Sequence, residues 1–291
     1  MSEKNSGTPN ASAGGRLSIA EGLNVNRLGF GAMRITGAGV WGEPKDPAEA
    51  RRVLRRAVEL GVDFIDTADS YGPEVSERLI AEALHPYPQG LVIATKGGLA
   101  RSGPGAWHTL GRPEYLTQCV EMSLRRLKLD YIELYQLHRI DPKVPIEESL
   151  GALSDLQKAG KIRHIGLSEV SVAEIRQAKK TVAIVSVQNR YNLADRSADS
   201  IVDYCEKENL GFIPWFPVAA GDLARPGGPL DQAAARHGAS VAQVAIAWLL
   251  HRSRVILPIP GTSSVSHLEE NVAAASLKLS DAEWQAIERA K

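Results

Sequence analysis

The sequence predicts a closed (β/α)8 barrel of the TIM-barrel class, with an N-terminal β-hairpin and an extra C-terminal helix. Three observations carry that expectation. From about residue 47 onward, short apolar runs that read as buried parallel strands alternate with amphipathic helical segments. Eight such runs can be counted, and each has its helix. No break in composition divides the 291 residues, so a single domain over residues 16–291 is expected. An open, doubly wound sheet is the rival arrangement, and it differs by a reversal of strand order that a sequence does not display.

Taken from the N-terminus, residues 1–15 (MSEKNSGTPNASAGG) are small and polar and predict a disordered tail. Residues 16–27 predict a hairpin that turns at Glu21 and Gly22 and covers the barrel bottom. Strands are expected at 28–33, 63–66, 91–95, 132–136, 164–167, 184–188, 211–215 and 255–259. Helices are expected at 47–60, 75–84, 113–127, 146–159, 172–180, 198–208, 240–251 and 264–274, with a terminal helix over 281–291 that packs Trp284 against the outside. Boundary residues agree: Asp46 and Pro47 form an N-cap and first-turn pair, Gly61 and Gly160 follow helix ends, and Ser171 with Glu174 spells a capping box.

Composition narrows the function classes. The 34 basic and 34 acidic side chains cancel, leaving no long-range field to gather nucleic acid or an anionic membrane face, so a small-molecule ligand is expected. Cys119 and Cys205, the two cysteines, sit in helix-like contexts that favour buried free thiols, which suits a reducing cytoplasm. Neither a secretory leader nor a membrane span is read, and the seven histidines show no paired metal-ligand spacing. Gly37, Gly39 and Gly42 in GAGVWG satisfy a dinucleotide-binding pattern, but Pro44 and Pro47 forbid the helix that must open at the third glycine. A flexible loop after the first strand is expected there instead.

Four polar residues follow strand ends: Asp66, Tyr71, Lys96 and His138. In a barrel of this class such residues converge on the mouth at the C-terminal ends of the strands. Singly, each has a plain explanation: a turn cap, a half-buried aromatic, a lysine reaching solvent, a histidine bonded to a carbonyl. Together they read as chemistry. A buried lysine needs a partner, and Asp66 is the natural one. The fixed ammonium favours the phenolate of Tyr71 and brings a phenol closer to working range as a proton donor. His138 is placed to hydrogen-bond a substrate oxygen. Such a set protonates an oxyanion as hydride arrives at carbon.

The segments GFGAMR, DTADSYG, ATKGG, YQLHR, KIRHIGLSE, VQNRYN and IPIPGTSSVSHLEENVAA, in that order and spacing, resemble the aldo-keto reductases from about residue 17 to the C-terminus. The resemblance implies an NADP(H)-dependent reductase of aldehydes and ketones, with NADH as a further possible cofactor. It implies Tyr71 as general acid, Asp66 and Lys96 tuning it, and His138 positioning the carbonyl. It also implies Gly31, Met33 and Asp66 as cofactor-binding residues and maps Ser168, Glu169 and Gln188 to the nicotinamide carboxamide, with Trp215 stacking on the ring. The loop from Phe216, Pro217 and Val218 through Ala219 to Gly221 would lie across the pyrophosphate. Gly261, Thr262, Ser263, Ser264, His267, Glu270 and Asn271 would hold the adenosine 2′-phosphate and adenine. Many relatives carry Asn where Glu169 stands, and a carboxylate cannot donate to the carboxamide oxygen. Lys and Arg are usual near Gly261 and His267, so the charge clamp is weak and the margin of NADPH over NADH is smaller. Met33, Trp41, Trp107 and Arg139 are the substrate-pocket candidates, and an apolar mouth around a polar centre suits aromatic or hydrophobic carbonyls. WFPVAAG and the late GTSS run look most like bacterial reductases acting on pyridoxal. Two alternatives are a Schiff-base aldolase using Lys96 and a cofactor-binding regulatory subunit resembling potassium-channel β subunits.

Overall fold

The computed structural model describes residues 8–218 and 225–290. Two antiparallel strands, β1 (Arg16–Ala20) and β2 (Leu23–Asn26), come first and are followed by β3 (Phe30–Gly31), α1 (Pro47–Glu59), β4 (Phe64–Asp66), α2 (Val75–Leu84) and β5 (Val92–Gly97). A second hairpin, β6 (Leu99–Gly103) and β7 (Ala106–Thr109), precedes α3 (Pro113–Leu127), β8 (Ile132–Leu137), α4 (Ile146–Lys158), β9 (Ile162–Ser168), α5 (Val172–Ala178) and β10 (Ile184–Gln188). The chain then runs through α6 (Asp199–Glu208), β11 (Gly211–Phe212), α7 (Pro229–His237), α8 (Val241–Arg252), α9 (Val265–Ala273) and α10 (Asp281–Arg289).

A parallel sheet orders β3, β4, β5, β8, β9, β10 and β11 side by side. The segment at 255–258 closes it. Phe212 N donates to Val255 O at 2.8 Å, Leu257 N returns a bond to Phe212 O at 2.8 Å, and Gly29 N donates to Pro258 O at 2.9 Å. That eighth member forms no regular ladder because Pro258 and Pro260 lack N–H donors. The barrel expected from the sequence is therefore present, with its last strand irregular and its first cut to Phe30–Gly31, after which Ala32–Ile35 turns as a 3-10 helix. Pro214 likewise ends β11 at Phe212, short of the expected 215.

The first hairpin plugs the bottom. Leu17, Ile19, Leu23 and Val25 pack with the inward residues Phe64, Ala94, Leu134, Ile213 and Leu257. The tail expected over 1–15 is corrected in part: residues 1–7 lie outside the described residues, but Ala11–Gly14 forms a 3-10 turn capped by Asn10, and Ala11 is buried with its N–H on Leu60 O at 2.8 Å. The expected C-terminal helix is α10, whose Trp284 packs against the main helix-to-sheet core. Among the described residues, no helix is long and apolar enough to cross a membrane.

The β6–β7 hairpin and α7 lie outside the expected elements. β6–β7 turns through Gly103, Pro104 and Gly105, a signal that was available in the sequence. α7 begins with Pro229 at its first turn and ends at Gly238 with φ +58°, the usual asymmetry of helix ends.

Candidate active site

The two-residue period of the strands builds the site. Phe64, Ala94 and Leu134 fill one inward layer, and the next inward positions toward the strand ends are Asp66, Lys96 and Gln136. Ser168 and Gln188 extend that polar layer at the ends of β9 and β10, where they are paired in register. Gly166 keeps room for it, since a Cβ there would lie 2.4 Å from Ser186 Oγ and 3.0 Å from Gln136 Cγ.

Lys96 is fully buried, and its ammonium donates to Asp66 Oδ1 at 2.5 Å and to Thr67 O at 2.9 Å. Asp66 Oδ2 accepts from Gln136 Nε2 at 3.0 Å and Gln188 Nε2 at 2.9 Å, so both carboxylate oxygens are satisfied. Tyr71, from the turn after β4, sets its hydroxyl 3.5 Å from Lys96 Nζ. Its ring meets His138 edge-on at 5.8 Å and Trp107 at 6.5 Å between centroids. His138 Nδ1 lies 3.3 Å from Ser70 Oγ, which leaves the other ring nitrogen for a ligand.

Burial sets the proton inventory. It pushes the Tyr71 hydroxyl upward more strongly than Lys96 draws it down, so the net direction is above the ordinary phenol value, opposite to the expectation that the ammonium would dominate. Tyr71 therefore holds its proton at neutral pH. Burial disfavours the Lys96 ammonium too, but Asp66 and Tyr71 outweigh it and hold Lys96 above its ordinary value. A protonated, fully buried amine away from the cleft wall does not suit a Schiff-base nucleophile. His138 is held well below the ordinary 6.5 by burial first and then by Lys96, Arg139 and Arg101.

The His138 shift has a stability consequence. Its folded-state value is depressed, so its contribution is present above about pH 6.5, where the unfolded imidazole is also neutral, and is lost as pH falls toward the folded value. Asp69, pushed up to about 7 by burial and then by Glu77, has the opposite slope, so only a comparison with a variant isolates His138. We expect His138→Gln to lose less unfolding free energy than the parent on going from about pH 7.5 to about pH 5.5, the difference approaching ~1.4 kcal/mol per pH unit. Parallel curves from denaturant titrations would remove the imidazole from that role.

Above the polar floor opens a cleft of about 850 Å³. Of the residues expected at the site, Gly31, Met33, Asp66, Tyr71, Trp107, His138, Arg139, Ser168, Gln188, Trp215, Phe216, Pro217, Val218 and Gly261 line it. Arg34, Val40, Leu99, Thr109 and Ile259 line it without having been singled out. Arg101 is a further unread residue: its guanidinium lies 3.5 Å from the Trp107 ring centroid and donates to Gly39 O, Val40 O and Ser70 O. These bonds tie the GAGVWG loop to the turn that carries Ser70 and Tyr71. It is no dinucleotide helix, as expected, but neither is it free of tertiary bonds.

Several expected contacts fall elsewhere. Glu169 does not line the cleft; its Oε1 accepts from Trp215 Nε1 and from Arg190 N, both at 2.6 Å, with its backbone in the left-handed region at φ +56°. The carboxylate thus holds the indole from behind. Trp41 is also absent from the wall and packs near Arg101 at 5.6 Å. Of the late run, only Gly261 reaches the cleft: Thr262 is buried, Asn271 half-buried, and Ser263 before α9 and His267 and Glu270 on it are exposed. Part of that cradle is already used, because Glu49 Oε1 accepts from Val265 N at 3.2 Å and Thr262 Oγ1 from Ser264 N at 3.1 Å. Ala219 and Gly221 lie outside the described residues.

A closed barrel with an acid–base cluster at its C-terminal mouth is the build of a barrel enzyme. Residues 27–291 match the model of the aldo/keto reductase family, and the chain belongs to that family of oxidoreductases. An uncharacterised oxidoreductase of Schizosaccharomyces pombe is 53% identical over 270 residues, covering 93% of this chain and 88% of that one. The pyridoxine 4-dehydrogenase of Escherichia coli is 44% identical over 264 residues, covering 89% and 92%. Among solved structures, the glycerol dehydrogenase of Gluconobacter oxydans superposes with a TM-score of 0.83 at 26% identity and 95% coverage of both chains. An aldo/keto reductase of Klebsiella pneumoniae, solved with NADP and acetate, gives 0.80 at 25% identity and 94% coverage of both.

Proposed function

We propose that this protein is an NADP(H)-dependent reductase of aldehydes and ketones, with aromatic aldehydes of the pyridoxal type as its substrates. The observation that carries the reading is the Asp66–Lys96 pair set behind Tyr71, with Tyr71 and His138 sharing the floor of a largely apolar cleft. When bound, the nicotinamide cofactor supplies the hydride. Tyr71 donates its proton to the substrate oxygen, and the neighbouring ammonium of Lys96 stabilises the phenolate left behind. Neutral His138 donates one hydrogen bond to the same oxygen and orients the carbonyl. Asp66 keeps Lys96 in place and is itself held by Gln136 and Gln188.

The residues present fit such a cofactor. Trp215 offers an aromatic face on the cleft, Ser168 and Gln188 offer polar groups at its floor, and Gly261 with Arg34 frames the opposite end. Arg34 makes no ion pair among the described residues and lies 3.5 Å, at its Cγ, from where a Gly261 Cβ would be, so it offers a cation for cofactor phosphate that the 261–271 run lacks. The NADP complexes of solved relatives and the 44% identity to a pyridoxine dehydrogenase support the cofactor and substrate class.

Glu169 belongs to this reading as the acceptor that fixes the Trp215 indole. Glu169→Ala is expected to weaken NADPH binding about tenfold, and Glu169→Gln, which keeps an acceptor oxygen, to recover most of it. In a Trp215→Phe background, which has no indole N–H, the Glu169→Ala loss should largely disappear; an undiminished loss would detach Glu169 from the tryptophan.

The proposal is tested by NADPH and NADH oxidation with pyridoxal, nitrobenzaldehyde and an aliphatic ketone. Turnover that is fastest with an aromatic aldehyde and NADPH is expected. Tight NADPH binding with no turnover of any carbonyl would instead favour a cofactor-binding regulatory role.

A further inference from the structure

The cleft floor carries a positive charge with no counter-charge beside it. The Lys96 ammonium is neutralised by Asp66 at 2.5 Å, and the five carbonyl bonds of Arg101 commit that guanidinium to the loops. Arg139 differs from both. It is half-buried, lines the cleft beside His138, and has no carboxylate within ion-pair distance among the described residues. Its hydrogen bonds both come from Nη1, to His138 O at 2.6 Å and Ser168 Oγ at 3.0 Å. Those two bonds anchor the guanidinium at the ends of β8 and β9 while Nε and Nη2 have no partner among the described residues. Glu169 is the acidic group that acts on it, but that carboxylate is turned to Trp215 and Arg190 N. Burial pushes Arg139 below the ordinary arginine range, the direction expected of a cation short of an anion. It shares the cleft wall with Tyr71 and His138, the two groups that face the carbonyl in the reductase reading.

We propose that Arg139 is a specificity residue that reads an anionic oxygen next to the substrate carbonyl, so that the preferred substrates are aromatic aldehydes with an ionised hydroxyl ortho to the formyl group. This rests on the reductase reading and names its substrate class more closely. The reach is set by the fold: Arg139 follows His138 in the chain and is bonded to that residue's own carbonyl, so it addresses a substituent adjacent to the reacting carbonyl and not one at the far end of the ring. Trp107 and Leu99 supply the apolar wall for the ring itself. An anionic oxygen there gains charge-assisted hydrogen bonds and neutralises the floor.

The test compares 2-hydroxybenzaldehyde, above the pKa of its phenol, with 2-methoxybenzaldehyde, its uncharged analogue, and with benzaldehyde. The ratio of kcat/KM for the phenolate over the ether is measured in the parent, Arg139→Gln and Arg139→Lys, which cancels the intrinsic difference in reactivity. The ratio is expected to fall about tenfold or more in Arg139→Gln and to return in part in Arg139→Lys. An unchanged ratio, or an equal loss on all three aldehydes carried by weaker NADPH binding, would overturn the proposal and make Arg139 a cofactor or scaffold residue. Parent enzyme that reduces none of the three aldehydes would instead overturn the reductase reading, and the substrate class with it.

Discussion

Tyr71→Phe is expected to lower kcat/KM for aldehyde reduction by about 10²–10⁴-fold, the range for removing a positioned general acid. The substitution deletes one oxygen and keeps the ring that packs edge-on against His138 and Trp107. NADPH affinity and the unfolding midpoint should therefore stay close to those of the parent, and the loss should fall on kcat as well as on kcat/KM. The direction of the Tyr71 shift matters to this outcome. Burial keeps the phenol protonated at neutral pH, so the group that leaves with the mutation is a donor already carrying its proton. Lys96, 3.5 Å from the hydroxyl, contributes when negative charge forms there, not before. Steady-state kinetics beside a cofactor-binding titration checks this, and a variant with near-parent turnover would move the proton donor elsewhere, His138 first.

The largest stability effect is expected from Lys96→Met. Asp66 is 2% exposed, and losing the ammonium leaves its carboxylate with two amide donors and no counter-charge, while Thr67 O loses its donor. Breaking a buried pair from one side typically costs about 3–5 kcal/mol. Adding Asp66→Asn to Lys96→Met removes the stranded charge and should return much of that loss in denaturant unfolding without restoring reduction. A single variant as stable as the parent would mean that water reaches Asp66 and that the pair is not sealed beneath Tyr71. The separation of the two readouts distinguishes the electrostatic role of the pair in folding from its role beside the tyrosine.

Most of the barrel was legible because its signals are periodic. α2, α3 and β10 occupy the expected residues, 75–84, 113–127 and 184–188. The convergence of Asp66, Tyr71, Lys96 and His138 was legible for the same reason: Asp66 and Lys96 lie at the ends of β4 and β5, Tyr71 and His138 come after β4 and β8, and strand ends converge in a barrel. What was not legible depends on long-range packing. Nothing local to Glu169 says that its carboxylate turns toward Trp215 and Arg190 N; that follows from its left-handed backbone and from β9 and β10 lying side by side. Ser70 next to His138 is a contact between residues 68 apart that acquires meaning only once the loops are folded. The late run from Gly261 matched a phosphate cradle as a pattern, yet Glu49, from α1, takes one of the amides at the start of α9. The hairpin β6–β7 and helix α7 are different, since the Gly103-Pro104-Gly105 turn and the Pro229-to-Gly238 frame were readable locally.

Direct hydride delivery to a carbonyl carbon, with the proton coming from Tyr71, is tested most directly by tracing label. Purified protein is incubated with NADPH carrying deuterium at the transferable position and with an aromatic aldehyde in ordinary water, and the product is read by NMR. One deuterium on the carbinol carbon, formed by the parent and lost with Tyr71→Phe, is the expected result. Alcohol whose carbinol carbon carries only solvent hydrogen, or labelled alcohol formed equally well without the Tyr71 hydroxyl, would contradict it.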